Sequence, residues 1–155
     1  MGQLDGELHA MFKRLLIIAV MALTLPGTVH ATLIFSEDLD VLKEQWEAAC
    51  VQLSPTKTEG IKCIRDTHAA VSRMKRGMAS ADRHPVLRSI AFLSVKLCVK
   101  SLDGRESALG SVPVSTFIAG CSVSKYRAFI RANGGPAEII RKHLKYKEKD
   151  KGLEV

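Results

Sequence analysis

The chain has 155 residues, of which 46% are hydrophobic, 25% charged and 5% aromatic, and its formal net charge is +7. This balance is that of one ordinary globular domain, and it excludes a disordered polymer and a multidomain enzyme. The excess of positive charge favours anionic partners such as lipid headgroups, anionic glycans, acidic protein patches or nucleic acid.

The first 31 residues follow the pattern of a secretory signal peptide. A basic pair precedes eleven almost purely apolar residues at 15–25, and the segment ends in small residues at Ala31. The apolar run is shorter than the roughly 20 residues that cross a bilayer. We expect cleavage after Ala31, with Met11 as the alternative start, and a periplasmic or secreted mature protein. A buried N-terminal core helix is the alternative for this segment.

The first two predicted helices are amphipathic, because apolar residues recur at steps of three and four. Ser36 is the expected N-cap of the first helix, which ends before Pro55. The second helix runs from about Thr58 to Met78. Its apolar side is expected to contain Ile61, Ile64, His68, Val71, Met74 and Met78.

The third predicted helix starts at Pro85, a residue suited to a first helical position, with Asp82 or His84 as its cap. Apolar residues surround almost its whole circumference, which is typical of a helix at the centre of a bundle. A strand is the alternative for 90–99, although that stretch lacks clean alternation. Turn residues then predict a loop over 102–111.

Two further helices and a charged tail complete the predicted chain. The fourth helix begins near Pro113, and Gly134 suits the left-handed conformation that ends many helices. A short fifth helix follows from Pro136 and ends at Leu144. Residues 145–155 are mostly charged, cannot bury themselves and are expected to fray into solvent. The fourth helix is expected to bury Val114, Ile118, Cys121, Tyr126 and Phe129.

The four cysteines all lie in the predicted mature part, and an even number in a small exported chain predicts two disulfides. Their spacing matches no zinc finger or ribbon, so we expect no metal and no other cofactor. Antiparallel helices joined by a short loop would place Cys50 beside Cys63. The same geometry places Cys98 beside Cys121, and we favour these pairs among the three connectivities that four cysteines allow. The predicted fold is all-α: a compact bundle of four to five helices over 32–144, stapled by two disulfides.

Charge is unevenly distributed along the mature chain. Residues 32–56 hold one basic and five acidic residues, a net charge of −4, whereas 125–155 hold nine and four, a net charge of +5. These segments could attract each other within the fold, or the basic segment could bind an anionic lipid or glycan surface. Nucleic acid is disfavoured, because acidic residues interrupt the basic ones and aromatic side chains are few. The candidate binding residues are Arg141, Lys142, Lys145, Lys147 and Lys149.

His68 is the single residue with a candidate catalytic role. A histidine close to a carboxylate could activate water for ester hydrolysis, with Asp66 or Glu106 assisting. Residues two apart on a helix point about 200° apart, however, so Asp66 could not orient His68. We therefore expect His68 to be a core or half-buried residue without a catalytic role.

These features predict an exported binding protein without catalytic activity. Its expected partner is a protein of the cell envelope, which would make it an accessory factor of a secretion or conjugation apparatus, or an inhibitor of the immunity type. Two alternatives accompany this prediction. One is a small secreted hydrolase that acts on lipid or peptidoglycan through His68, and the other is a basic effector that works at a membrane surface.

Overall fold

The computed structural model describes residues 35–104 and 109–151, with side chains to Lys149. Five α-helices and one 3₁₀ helix make up this part of the chain, which contains no strand. The predicted all-α bundle is confirmed. The predicted leader, 1–31, and Glu106 lie outside the described residues. The α-helices are α1 (Phe35–Leu53), α2 (Lys57–Gly77), α3 (Pro85–Lys100), α4 (Val114–Ala132) and α5 (Pro136–Lys151), and the 3₁₀ helix is Ala79–Arg83.

A disulfide closes each of two helical hairpins. Cys50 of α1 is bonded to Cys63 of α2, with their Cα atoms 5.6 Å apart. Cys98 of α3 is bonded to Cys121 of α4, with their Cα atoms 5.9 Å apart. All four cysteines of the chain are therefore paired, and the predicted connectivity is confirmed. Two disulfides are compatible with an oxidising, exported location.

The two hairpins pack against each other through α2 and α4, which run in the same direction. Positions 73 and 77 of α2 lie against positions 120 and 123 of α4, in that order. The other helices are peripheral, since α1 flanks α2 and α3 flanks α4. In this register Cys63 lies near the start of α2, whereas Cys121 lies at the level of about position 74 of α2, so the two disulfides are at different heights along the bundle.

One apolar core runs through α1 to α4. Trp46 of α1, Leu87 of α3 and Ile118 of α4 are among its fully buried side chains. The helices α2 and α4 approach closely at Gly77, where an added Cβ would lie 2.5 Å from both methyl carbons of Val123. Gly77 therefore sets the distance between the two hairpins.

The start of α1 differs from its prediction. The helix begins at Phe35, so Ser36 lies inside the first turn and does not cap it. The backbone N–H of Ser36 donates to Asp82 Oδ1 at 3.0 Å, which makes a side chain of the 3₁₀ helix the acceptor at this end. His84 is the cap of α3, because its Nδ1 accepts from the Val86 N–H at 3.2 Å. Asp82 therefore ties the first turn of α1 to the segment that precedes α3.

The prediction that α3 lies at the centre of the bundle is wrong. The helix packs against α4, the 3₁₀ helix and α5, and Leu93 and Leu97 are 54% and 45% exposed. Its buried side includes Ser94, whose hydroxyl donates to the carbonyl oxygen of Ile90 at 2.9 Å and so needs no partner outside the helix. Ser94, whose hydroxyl is hydrogen-bonded, is therefore buried, while Leu93 and Leu97 face solvent. The apolar composition of α3 therefore overstates how many of its sides are covered.

The predicted apolar face of α2 is wrong in its first half. Ile61 and His68 are exposed, whereas the later residues of the predicted stripe are buried. The reason is that α1 packs against the small residues Gly60 and Thr67, which lie beside Cys50. The disulfide holds α1 against these positions, and the larger Ile61 is left outside.

The glycine cap at the end of α4 agrees with the prediction, whereas the buried face of α4 and the length of α5 differ from it. Phe129 is exposed and Ile130 is buried instead, which corrects the predicted face of α4. Gly134 and Gly135 have φ angles of 83° and 95°, and the Gly135 N–H donates to the carbonyl oxygen of Ile130 at 2.9 Å, as expected for a glycine cap. The helix α5 then continues to Lys151, well beyond its predicted end. Lys and Glu have high intrinsic helix propensity, which sustains these turns without burial.

Candidate binding surface

The predicted binding residues all lie on α5, and all of them are exposed. Successive residues of an α-helix are about 100° apart, so Arg141, Lys142, Lys145 and Lys149 fall within about 100° of the circumference. We call these four residues the basic face. Lys147 lies on the opposite side of the helix. The structure thus brings together four of the five predicted residues.

Glu138 neutralises part of the charge at the start of the basic face. Arg141 Nε donates to Glu138 Oε2 at 2.8 Å, and Lys142 Nζ lies 3.8 Å from Glu138 Oε1. The hydrogen bond from Arg141 lowers the pKa of Glu138 and raises the pKa of Arg141. Lys145 and Lys149 have no ion-pair partner among the described residues. Within the basic face, the unpaired positive charge therefore lies toward the end of α5, where exposed Glu148 precedes Lys149.

The first two turns of α5 hold the helix to the bundle. Ile139 is buried, Ile140 packs against the core, and the ring of His143 meets that of His84 edge to face with centroids 5.7 Å apart. Because His84 immediately precedes α3, α5 crosses the start of that helix. Every side chain of residues 144–149 is exposed. The basic face is therefore fixed at one end and open to solvent at the other.

The acidic helix α1 does not neutralise the basic face. The main neighbours of α1 are α2 and the 3₁₀ helix, whereas α5 packs against α3. Acidic groups of α1 pair locally: Lys75 Nζ donates to Asp40 Oδ2 at 2.6 Å, and Glu47 lies 3.5 Å from Lys43 Nζ. The ion pairs of Asp40 and Glu47 are therefore made within the first hairpin.

His68 is half exposed on the surface of the first hairpin, with 53% of its side chain accessible. Its Nε2 contacts Glu47 Oε1 of α1, so the residue links the two helices of the hairpin. Asp66, the predicted helper, makes no contact with His68 among the described residues. The sequence did not point to Glu47, because a pair between helices depends on the register that the Cys50–Cys63 bond sets. This arrangement supports a structural role for His68.

An apolar stripe on α3 is the exposed feature that sequence reasoning missed. It consists of the exposed Leu93 and Leu97 and the half-buried Ile90, which follow each other at helical spacing, with exposed Lys96 and Lys100 beside it. The sequence carries no separate signal for this stripe, because at 100° per residue its members adjoin the buried side of the helix. The pattern therefore predicts a single, almost all-round apolar surface.

The described ranges 35–104 and 109–151 contain no group of three or more His, Cys, Asp or Glu side chains that could hold a metal ion. None of the helices in these ranges combines the length and the hydropathy that a membrane span requires. No protein-family model, curated protein or solved structure matches the chain. Its function is therefore inferred from its own geometry.

Proposed function

We propose that the mature chain is an exported binding protein of the cell envelope, without catalytic activity, whose partner is a protein. An accessory factor of a secretion or conjugation apparatus and an inhibitor of the immunity type both fit this description. The observation that carries the proposal is the pairing of all four cysteines across neighbouring helices. Such structural disulfides persist in the periplasm and outside the cell, where the leader at 1–31 would direct the chain.

The apolar stripe on α3 supports a protein partner. Neighbouring exposed apolar side chains are common at protein–protein interfaces. Since Lys96 and Lys100 lie beside Leu93 and Leu97, the complementary surface is an apolar patch with acidic residues at its rim. Cys98 directly follows Leu97 and is bonded to α4, so the stripe is held rigid before binding. Rigidity of this kind reduces the conformational entropy that association costs.

Crosslinking of cell envelopes, followed by purification of the tagged chain, tests this function. We expect one protein partner with the wild-type chain and at least about tenfold less of it with Leu93→Asp/Leu97→Asp, because charges would replace the apolar contact. The matched control is Val51→Asp/Ile61→Asp, which changes two exposed apolar residues of α1 and α2 and should retain the partner.

Either of two kinds of result would contradict the proposed function. The first kind comes from crosslinking: no protein partner is recovered with the wild-type chain, or both double variants recover equal amounts of it. The other is hydrolysis of labelled phospholipid or peptidoglycan by the purified protein that disappears in His68→Ala while helicity persists, since that result identifies an enzyme.

A further inference from the structure

The open end of α5 combines positive charge with an aromatic side chain. The basic face extends from Arg141 to Lys149, about 12 Å along the helix axis. Tyr146 is 71% exposed and lies one turn after Lys142, at the edge of this face. Because all side chains of 144–149 are exposed, no other helix of the described ranges covers this end of the basic face.

The apolar side of α5 is occupied in the first two turns, and Leu144, which follows them, is exposed. Ile139 is buried in the bundle and Ile140 packs against its core, so the helix cannot turn this side toward another apolar phase without leaving the bundle. The basic face is left free for binding. Binding there would take place at a surface and would depend on charge.

The residue types of the basic face favour binding to lipid headgroups over binding to the carboxylates of an acidic protein surface. Three of its four residues are lysines, and the one arginine is engaged with Glu138. An arginine recognises a carboxylate through a planar, two-point hydrogen bond, whereas a lysine is a hydrated point charge on a flexible stem. Mobile anionic headgroups can gather around each ammonium group without a fixed register. Tyr146 adds an aromatic ring of the kind that is enriched at headgroup level.

We propose that α5 docks the protein on a bilayer surface that carries anionic phospholipids, with the basic face toward the headgroups and Tyr146 beside them. The docked bilayer contacts the C-terminal part of α5, beyond the two turns that hold the helix to the bundle. The apolar stripe on α3 is a separate surface, so this docking does not depend on the protein partner.

Cosedimentation with vesicles tests the proposal on the disulfide-bonded mature chain. We expect binding to vesicles of phosphatidylcholine mixed with phosphatidylglycerol, and none to phosphatidylcholine alone. The binding should weaken as salt is raised, because the screening length falls from about 30 Å at 0.01 M to about 8 Å at 0.15 M.

A pair of variants with the same change in net charge locates the contact. Each lysine near an anionic membrane contributes about fivefold to partitioning, so Lys145→Gln/Lys149→Gln should lower binding about 30-fold. Lys57→Gln/Lys62→Gln removes two exposed lysines from the other end of the bundle and should stay within about threefold of the wild type. Circular dichroism should show the same helicity for both, since the changed residues are exposed and glutamine is a good helix former.

Three results would overturn the proposal. The first is equal binding of the wild-type chain to neutral and anionic vesicles. The second is an equal loss of binding in both variants, which would show that net charge alone is sensed. The third is unchanged vesicle binding by Lys145→Gln/Lys149→Gln together with a loss of the crosslinked protein, which would make α5 a protein-docking helix.

Discussion

Gly77 is the residue at which the packing of the two hairpins is most directly testable. Alanine normally stabilises a helix by about 1 kcal/mol relative to glycine. In Gly77→Ala the new Cβ would lie 2.5 Å from both Val123 methyl carbons, and overpacking of this kind costs about 1–3 kcal/mol. We expect Gly77→Ala to lower the free energy of unfolding, measured by urea denaturation.

Gly60→Ala is the matched control for this prediction. Gly60 lies in the same helix, and an added Cβ would meet nothing closer than Ser54 Cβ at 3.6 Å. This variant should therefore raise the free energy of unfolding, by up to about 1 kcal/mol. A urea midpoint that rises in Gly77→Ala as it does in Gly60→Ala would show that Gly77 is not a close-approach position.

Tyr126 connects burial to pH-dependent stability. Its ring is fully buried in the core, and its hydroxyl is hydrogen-bonded to Ser80 Oγ at 2.7 Å. Burial raises the pKa of Tyr126, against the lowering effect of the Ser80 hydrogen bond. A pKa that is higher in the folded than in the unfolded chain contributes stability below about pH 10, and this stability is lost as pH rises through the folded-state value.

We expect Tyr126→Phe to be less stable than the wild type at pH 7 by about 1 kcal/mol, because the hydrogen bond to Ser80 is lost. Above pH 10 the difference in free energy of unfolding between the wild type and Tyr126→Phe should become smaller. Only the wild type has a buried phenol, which must ionise there and so loses its stabilising effect. Unfolding followed from pH 7 to pH 11 checks both points. A gap that widens with pH would contradict the stated direction of the Tyr126 pKa.

At the scale of elements, each disulfide stabilises one hairpin. Cys50–Cys63 spans 13 positions of sequence and Cys98–Cys121 spans 23. In the chain-entropy model each bond contributes about 3 kcal/mol, with slightly more for the longer loop. We expect Cys50→Ala/Cys63→Ala and Cys98→Ala/Cys121→Ala to lower the free energy of guanidinium unfolding by about this amount each. An unchanged midpoint in either double variant would mean that its bond does not constrain the unfolded chain.

The elements themselves are well encoded in the sequence. The second helix was expected over about Thr58–Met78 and is observed over Lys57–Gly77, and the third starts at Pro85 as predicted. Periodicity identifies such helices because it is a local property of the chain. The sequence-based prediction ends α5 at Leu144, because the charged residues that follow cannot be buried. The helix propensity of Lys and Glu extends it to Lys151 without burial.

Which side of a helix faces the core was harder to predict. Periodicity defines an apolar stripe but not the neighbour that covers it. On α2, small residues near Cys50 form the contact with α1, and the larger Ile61 is exposed. On α3, Leu93 and Leu97 belong to a stripe that no other described helix covers fully.

At the scale of the whole molecule, the candidate sites lie on surfaces that the disulfides leave free. The exposure of the lysines of α5 was predictable, because a run of lysines in a polar segment cannot be buried. The face that four of the five candidate residues share was not, because the predicted helix ends at Leu144. The apolar stripe on α3 was not predictable either, because its exposure follows from the order in which the helices pack. That order depends on long-range contacts such as those between Gly77 and Val123.

Export and disulfide bonding of this molecule can be measured together. Intact-mass analysis of protein isolated from its native cells reads the N-terminus and the redox state of all four cysteines in one experiment. We predict a chain that begins at Thr32 and weighs four hydrogen atoms less than its reduced form, which corresponds to two disulfides. An unprocessed N-terminus with four free thiols would contradict the account.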